Sequence, residues 1–353
     1  MSAIPEAEFD ESKSMEEFLS SYFASTKHLG RSVLRDIQDS ARLMSRRQAR
    51  YLVDTYYEVQ EYRKAAANQQ RALEKAGEPA GAMGWVVDAM ERVEAFIRYN
   101  LDSYSAASPL GAWARSQVGI GPVIAAGLLA HVDVRECPTA GHVWRFAGLD
   151  PSVRWVGSEK AEEIMRNVVG AKTDTLSVAQ VLQVAEALNL MPERFLHHAS
   201  ELDEQGEPTG EYTWDSVHAA ASKRPWNARL KVLCWKIGDS FCKVHNKPDA
   251  FYGHLYAERK EYEVRRNEAG DNANLAKQIL REKKIRRSTE AYKYLSRGLL
   301  PPGQIEARAR RWAVKLFLAH YVEVGRKLEG LPVVAPYPIA HLGHAHKIDP
   351  PGA

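Results

Sequence analysis

Between Ser116 and Val132 the chain reads SQVGIGPVIAAGLLAHV, its most apolar stretch, and that stretch opens on two glycines and a proline. It is too short and too broken by glycine to span a bilayer, so no membrane role follows. Upstream, Ser108 and Pro109 supply an N-cap and a first-turn proline, which start a helix running to about Val118. Gly119-Ile120-Gly121 then makes a turn, and Pro122 starts a second helix whose Val123, Ala126, Leu129 and Ala130 face inward. The pattern predicts a helix-hairpin-helix. Glycine lets the backbone approach a ligand closely, and the free N–H groups at a helix start point at an anion. On nucleic acid that anion is a backbone phosphate, a contact that fixes position without reading sequence. Gly119, Ile120, Gly121, Pro122 and Val123 are therefore candidate contacts, against the alternative that the motif is only a tight turn between helices.

The rest of the chain points to an all-α fold. Apolar positions at helical spacing, including Leu43, Tyr51, Leu52, Tyr56, Val59 and Tyr62, run towards Gly77, and EKAGEPAG interrupts them. A second series through Val86, Met90, Val93, Ile97 and Leu101 should pair with the first as an antiparallel, coiled-coil-like hairpin. The expected organisation is an acidic N-terminal segment over 1–35, the helical hairpin over 36–104, and a helical domain over 105–330. That domain holds a polar insert at about 157–225, and a proline- and histidine-containing tail occupies 331–353. Within the insert, VAQVLQVAEALNL is amphipathic, and with the residues after it has the look of the closing helices of a repressor-like helix-turn-helix. Trp226, Trp235 and Trp312 fall within helical apolar patterns and are read as core.

With 45% hydrophobic and 26% charged residues, the composition is that of an ordinary globular protein, and the net charge is only +3. The charge is unevenly spread. Six acids against Lys13 occupy the first twenty residues, whereas Arg281 to Lys315 holds eleven basic residues against Glu282, Glu290 and Glu306. The helix after Trp226 carries Arg229, Lys236 and Lys243 opposite its apolar face. REKKIRR contributes Lys283, Lys284, Arg286 and Arg287, and Arg308, Arg311 and Lys315 share one face of the last helix. These join the hairpin as candidate DNA-binding residues.

Cys137, Cys234 and Cys242 have no C-x-x-C spacing and cannot build a disulfide framework, so a reducing cytoplasm is expected, with association to the nucleoid through DNA. The N-terminus has no apolar core of a secretory signal. No Walker loop, dinucleotide fingerprint or H-E-x-x-H calls for a cofactor. His341, His344 and His346 lie close together, but no nearby carboxylate or thiol completes a metal set.

GIGPVIAAGLLAHVDVRECPTAGHVWRFAGLDP resembles the C-terminal helix-hairpin-helix "transposase" domain of the bridge-RNA-guided DEDD insertion-sequence transposases, whose pattern is roughly G-I-G-x-x-x-A followed by a short helix and A-G-L-x-P. RPWNARLKVLCWKIGDSF and FYGHLYAERK are similar to that domain's next segments, and the preceding hairpin to its coiled-coil connector. The resemblance covers about residues 105–265 apart from the insert. It implies DNA as partner, a guide RNA as a second one, and a catalytic serine shortly after A-G-L-x-P. Two features depart from the family: residues 1–105 read as helix only, where the family has a RuvC-like nuclease domain with a sheet, and the serine–serine–glycine context is missing. Of Ser152 and Ser158, Ser158 after Gly157 is the closer match to the catalytic serine; its bland reading is an N-cap for the helix that follows.

Three functions follow for testing. The first is phosphate-backbone DNA binding in a transposase-related protein. The second is serine-type strand transfer through Ser158, and the third an interaction scaffold docked through the N-terminal hairpin. The tyrosine row Tyr51, Tyr56, Tyr57 and Tyr62 is broader than a two-helix contact needs, which predicts a homo-oligomer, a dimer or higher, through residues 36–104.

Overall fold

A computed structural model describes residues 39–152, 155–334 and 347–352. Among them there is no strand, only the isolated bridges Thr175–Thr213 and Leu202–Pro208, and the all-α expectation holds. The expected acidic segment at 1–35 and the histidines at 341, 344 and 346 lie outside the described residues. Helix α1 (Arg46–Ala76) starts at a capping box of Ser45 and Gln48 and ends at Gly77, whose φ of +74° only glycine adopts without strain. Helix α2 (Gly81–Ala106) returns along it. Among the described residues no helix is long and apolar enough to cross a membrane.

Helices α3 (Pro109–Ser116) and α4 (Pro122–His131) form the predicted hairpin, Ser108 accepting from Gly111 N and Pro109 in the first turn. Helix α5 (Ala140–Phe146) ends, as the sequence indicated, at Gly148, with φ +65° and Leu149 N donating to Trp144 O. After the insert come α10 (Ala228–Val244), α11 (Phe251–Glu268), α12 (Ala273–Glu282), α13 (Glu290–Ser296) and α14 (Pro302–Leu328). Asn227 caps α10 by accepting from Leu230 N.

Helix α4 is buried on every side. Val123, Ala125, Ala126, Gly127, Leu128, Ala130 and His131 are all shielded from solvent, because α1 and α2 cover one side and α3 and α10 the others. The sequence had assigned it a single inward face; an apolar run without polar positions fits better as a central strut. The main core joins α3 and α4 to α10, α11 and α14, with Phe241, Tyr252 and Phe317 stacked or edge-on at 5.1–5.6 Å. Trp113 donates its indole N–H to Pro351 O at 2.9 Å.

The insert has a core of its own. Helices α6 (Ser158–Val169), α7 (Val178–Ala187), α8 (Pro192–Ala199) and α9 (Trp214–Ser222) bury Met165, Val181, Val184, Phe195, Trp214 and Val217 among themselves. The pair α7–α8, which looked like the close of a helix-turn-helix, packs on α6 and α9 within this unit.

Two buried glycines of the hairpin are fixed by packing. A Cβ on Gly111 would fall onto the Ser105 carbonyl oxygen and within 2.8 Å of Leu129, and one on Gly127 would meet Leu233 at 2.8 Å. Gly111→Ala should therefore cost about 3 kcal/mol, since backbone rather than a flexible tip must move. Gly121→Ala, in open space, should change little. Denaturant unfolding of both variants checks this; equal stabilities would contradict the packing described.

Candidate nucleic-acid interface

The two glycines of the turn do different work. Gly119 has φ +99°, and its carbonyl accepts from Ser240 Oγ at 2.6 Å. A Cβ there would press on Ser240, Phe241 and Val244 of α10 at 3.2–3.3 Å. Gly121 has φ −85° and ψ 175°, an extended conformation open to any residue, and a Cβ would meet nothing within 4 Å. The conformational demand read from the sequence thus rests on Gly119, while Gly121 is exposed at the mouth of α4 with no side chain capping the helix. Ile120 and Val123 turn their side chains inward, 4% and 7% exposed, so of the hairpin residues they offer backbone alone. Val123 packs with Val53, Ile97 and Leu101 of α1 and α2. Pro122 occupies the first turn and leaves one fewer N–H there to satisfy.

The cations fall into differently held groups. On α10, Arg229 faces Asp54 of α1 at 3.5 Å, Lys236 Nζ sits 3.8 Å over the Tyr57 ring, and Lys243 pairs with Asp239 at 2.7 Å. This basic face is largely matched by α1 and by its own helix. On α14 the expected row divides. Arg308 is turned inward to Glu263 and Asn272 Oδ1, Lys315 lies 4.3 Å over Trp144, and Arg311 is exposed. Lys283, Lys284, Arg286 and Arg287 stand exposed in the α12–α13 loop with no ion pair among the described residues. Ile285 between them is anchored in the small core of α12 and α13. Trp235, read as core, is instead 61% exposed, because α10 presents Val232 and Trp235 outward beside the buried Leu233 and Cys234.

Ser158 is the first residue of α6, and Gly157 (φ +78°) holds the N-cap position that the sequence had assigned to the serine. Its hydroxyl lies 3.3 Å from His218 Nε2, a neighbour sixty residues away that no local motif signals. The same nitrogen is 3.1 Å from the Ser158 carbonyl, which can only accept. Nε2 therefore carries the proton and donates, and in that tautomer it cannot take a proton from the serine. Ser152 gives both its N–H and its hydroxyl to Asp150 Oδ1, holding that carboxyl below its ordinary range. Among the described residues no group of three or more His, Cys, Asp or Glu could hold a metal.

Behind the hairpin, His131 at the end of α4 takes a hydrogen bond from the Asn227 amide to Nδ1 at 3.2 Å, and Arg50 Nε donates to Ala130 O at 2.7 Å. Asn227 N also donates to Phe146 O at 2.8 Å. One residue thus caps α10 and ties it to both α4 and α5. Gly148 completes the joint. A Cβ there would lie 2.7 Å from the Trp226 ring, so the glycine of A-G-L-x-P is the seat of the tryptophan that precedes α10.

Residues 113–169 match a family model described as Transposase IS116/IS110/IS902 family. This stretch is similar to that family's sequence. The matched span runs from the middle of α3 through the hairpin, α5 and A-G-L-x-P to the end of α6, and it agrees with the domain that the residues resemble. No curated protein and no solved structure matches the chain. The matched segment therefore includes the second half of α3, the glycine turn, all of α4 and the Gly148 seat.

The joint carries a pH dependence. Burial, then Arg50 and Arg229, lower the His131 imidazole to about 4 from its ordinary 6.5. A depressed folded value means the contribution is full above about 6.5 and disappears as pH falls towards about 4, where the unfolded chain binds the proton first. Wild-type stability should fall by on the order of 2–3 kcal/mol across that window from this group. His131→Gln should fall less. Urea unfolding at both ends of the window decides, and identical losses would contradict the assignment.

Proposed function

We propose that this transposase-related protein binds duplex DNA through the phosphate backbone, with the α3–α4 hairpin as the positioning contact and the 283–287 loop and Arg311 as flanking cations. The supporting observation is the open end of α4: Gly121 is exposed, no side chain caps the helix, and no protein atom occupies the space a Cβ would fill. The amides of the first helical turn have no intrahelical acceptor, and the helix dipole favours a negative charge in front of them. A phosphate meets both demands. The exposed loop cations have no competing carboxylate, so a polyanion gains their full attraction, whereas Arg229, Lys243 and Arg308 must first leave acidic partners. Nothing described around Ser158 activates it, so the proposal stops at binding and does not include strand transfer. A guide RNA, implied by the family resemblance, is no part of the contact proposed.

Gly121→Glu puts a carboxylate where the phosphate would lie without straining the backbone. It should weaken duplex binding by roughly tenfold or more and lower the slope of log affinity against log salt. Unfolding should match wild type. Fluorescence anisotropy over a salt series measures both; unchanged affinity and slope would remove the hairpin from the site.

The homo-oligomer belongs to the same proposal, on a different surface from the one the tyrosines suggested. Tyr56 and Tyr57 turn towards the chain's own core, edge to face at 5.3 Å, and only Tyr51 and Tyr62 remain exposed. The apolar row left open is on α2, where Trp85, Val93, Phe96 and Tyr99 are 39–62% exposed. Spacings of eight, three and three residues keep the four on one helix face, which suits a partner helix with the same row, as a second copy would present. Light scattering should give a dimer that Phe96→Glu dissociates; a monomeric wild type at micromolar concentration would end the idea.

A further inference from the structure

Between the insert and the hairpin domain lies a cleft of about 430 Å³. One wall is the end of α5 with Arg145 and Phe146, the second is α8 with Arg194, and the third is the segment from Lys223 to Asn227 leading into α10. Its charge is of one sign. Arg145, Arg194, Lys223 and Arg224 line it, no carboxylate does, and among the described residues none of the four is ion-paired. Asp150, outside the cleft and hydrogen-bonded through Oδ1 to Ser152, is a carboxylate close enough to Arg145 to feel its charge. His198, also on the wall, holds its proton less readily than usual because of burial and then Lys223, His197 and Arg194. Four like charges gathered with no ion-pair partner repel one another, and an anionic ligand offsets that repulsion.

The cleft is also aromatic. Phe146, 41% exposed, and Met191, 55% exposed, both line it. Trp226 lines the same cleft, with Lys231 Nζ 3.8 Å over one face of its ring. The geometry is held by the joint already described: Gly148 leaves room for Trp226, and the Asn227 N–H fixes the linker to Phe146 O.

We infer that this cleft holds an unpaired nucleic-acid strand, its phosphodiesters on Arg145, Arg194, Lys223 and Arg224 and a base against Phe146 and Trp226. The combination of cations and ring faces is what single strands require, since stacking on a side chain needs a base that has left its own stack. A duplex keeps its bases covered and cannot present one to a concave site of this size. The inference shares only the class of ligand with the hairpin proposal. It names a different surface, to which the insert contributes Arg194 and Lys223. DNA and RNA single strands offer the same chemistry here, because no group in the cleft is committed to a 2′-hydroxyl.

The test uses the full chain and fluorescein-labelled oligothymidylate of on the order of ten nucleotides, with oligouridylate and a duplex as parallel arms. The paired substitution Arg194→Glu and Lys223→Glu should weaken both single strands by roughly tenfold or more, and Phe146→Ala should do so for a strand of bases but not for inorganic polyphosphate. Duplex affinity should stay within about twofold of wild type in each case. Ultraviolet cross-linking of bound oligothymidylate should mark the peptide holding Phe146 or Trp226. Single-strand affinity unchanged in the charge-reversal variant, or cross-links only elsewhere, overturns the inference while leaving duplex binding and the hairpin untouched. Conversely, a Gly121→Glu variant without effect on duplex, beside an intact response of the single strand to the cleft variants, defeats the hairpin proposal alone. Equal loss of polyphosphate and oligonucleotide in Phe146→Ala would overturn the base-stacking half.

Discussion

The burial of α4, seven of whose ten residues are shielded from solvent, is the constraint on which the rest of the structure depends. Ten residues with no polar face can be kept from water only if helices arrive from every side, and α1, α2, α3 and α10 do so. Those arrivals are close enough to require glycine at 111 and 127. Once α4 is enclosed, the residue exposed beside it is Gly121 at its N-terminal end. The C-terminal end is tied through His131 to Asn227, and the N-terminal end is left open at Gly121. A strut buried along its length and bare at one tip places backbone amides in a fixed position, which is the preorganisation that phosphate binding uses.

The same economy links the family segment to the insert. Asn227 caps α10, accepts nothing less than the ends of α4 and α5 as neighbours, and marks the point where the chain returns from the insert. Trp226 beside it rests on Gly148, within the span that matches the transposase family model. The insert, with a core of its own, thus meets the hairpin domain on its C-terminal side at Trp226 and Asn227, and Arg194 of its α8 faces the end of α5 across the cleft.

Much of this was legible in the residues. The hairpin boundaries follow from Ser108, Pro109 and Pro122, the end of α5 from Gly148, and the pairing of α1 with α2 from the Gly77 stop, because caps and breakers act locally. What was not legible depends on distant partners. Nothing near Arg308 in sequence reveals Glu263 and Asn272, nothing near Lys236 reveals Tyr57, and a positive residue on a helix face reads alike whether it meets solvent or a carboxylate. Trp235 failed in the opposite sense, fitting an apolar helical pattern yet facing outward. The division of labour between Gly119 and Gly121 is equally tertiary, since the backbone dihedrals and the approach of Ser240 distinguish two glycines that look equivalent in GIGP.

The central claim is that the bare end of α4 contacts DNA phosphate. Amide hydrogen exchange on the full chain, with and without duplex DNA at low salt, observes those N–H groups directly. The account predicts that the peptide containing Gly121, Val123 and Ile124 exchanges more slowly when DNA is bound, and that added salt reverses the protection. Protection confined to the 283–287 loop and α14, with exchange at the head of α4 unchanged, would contradict it.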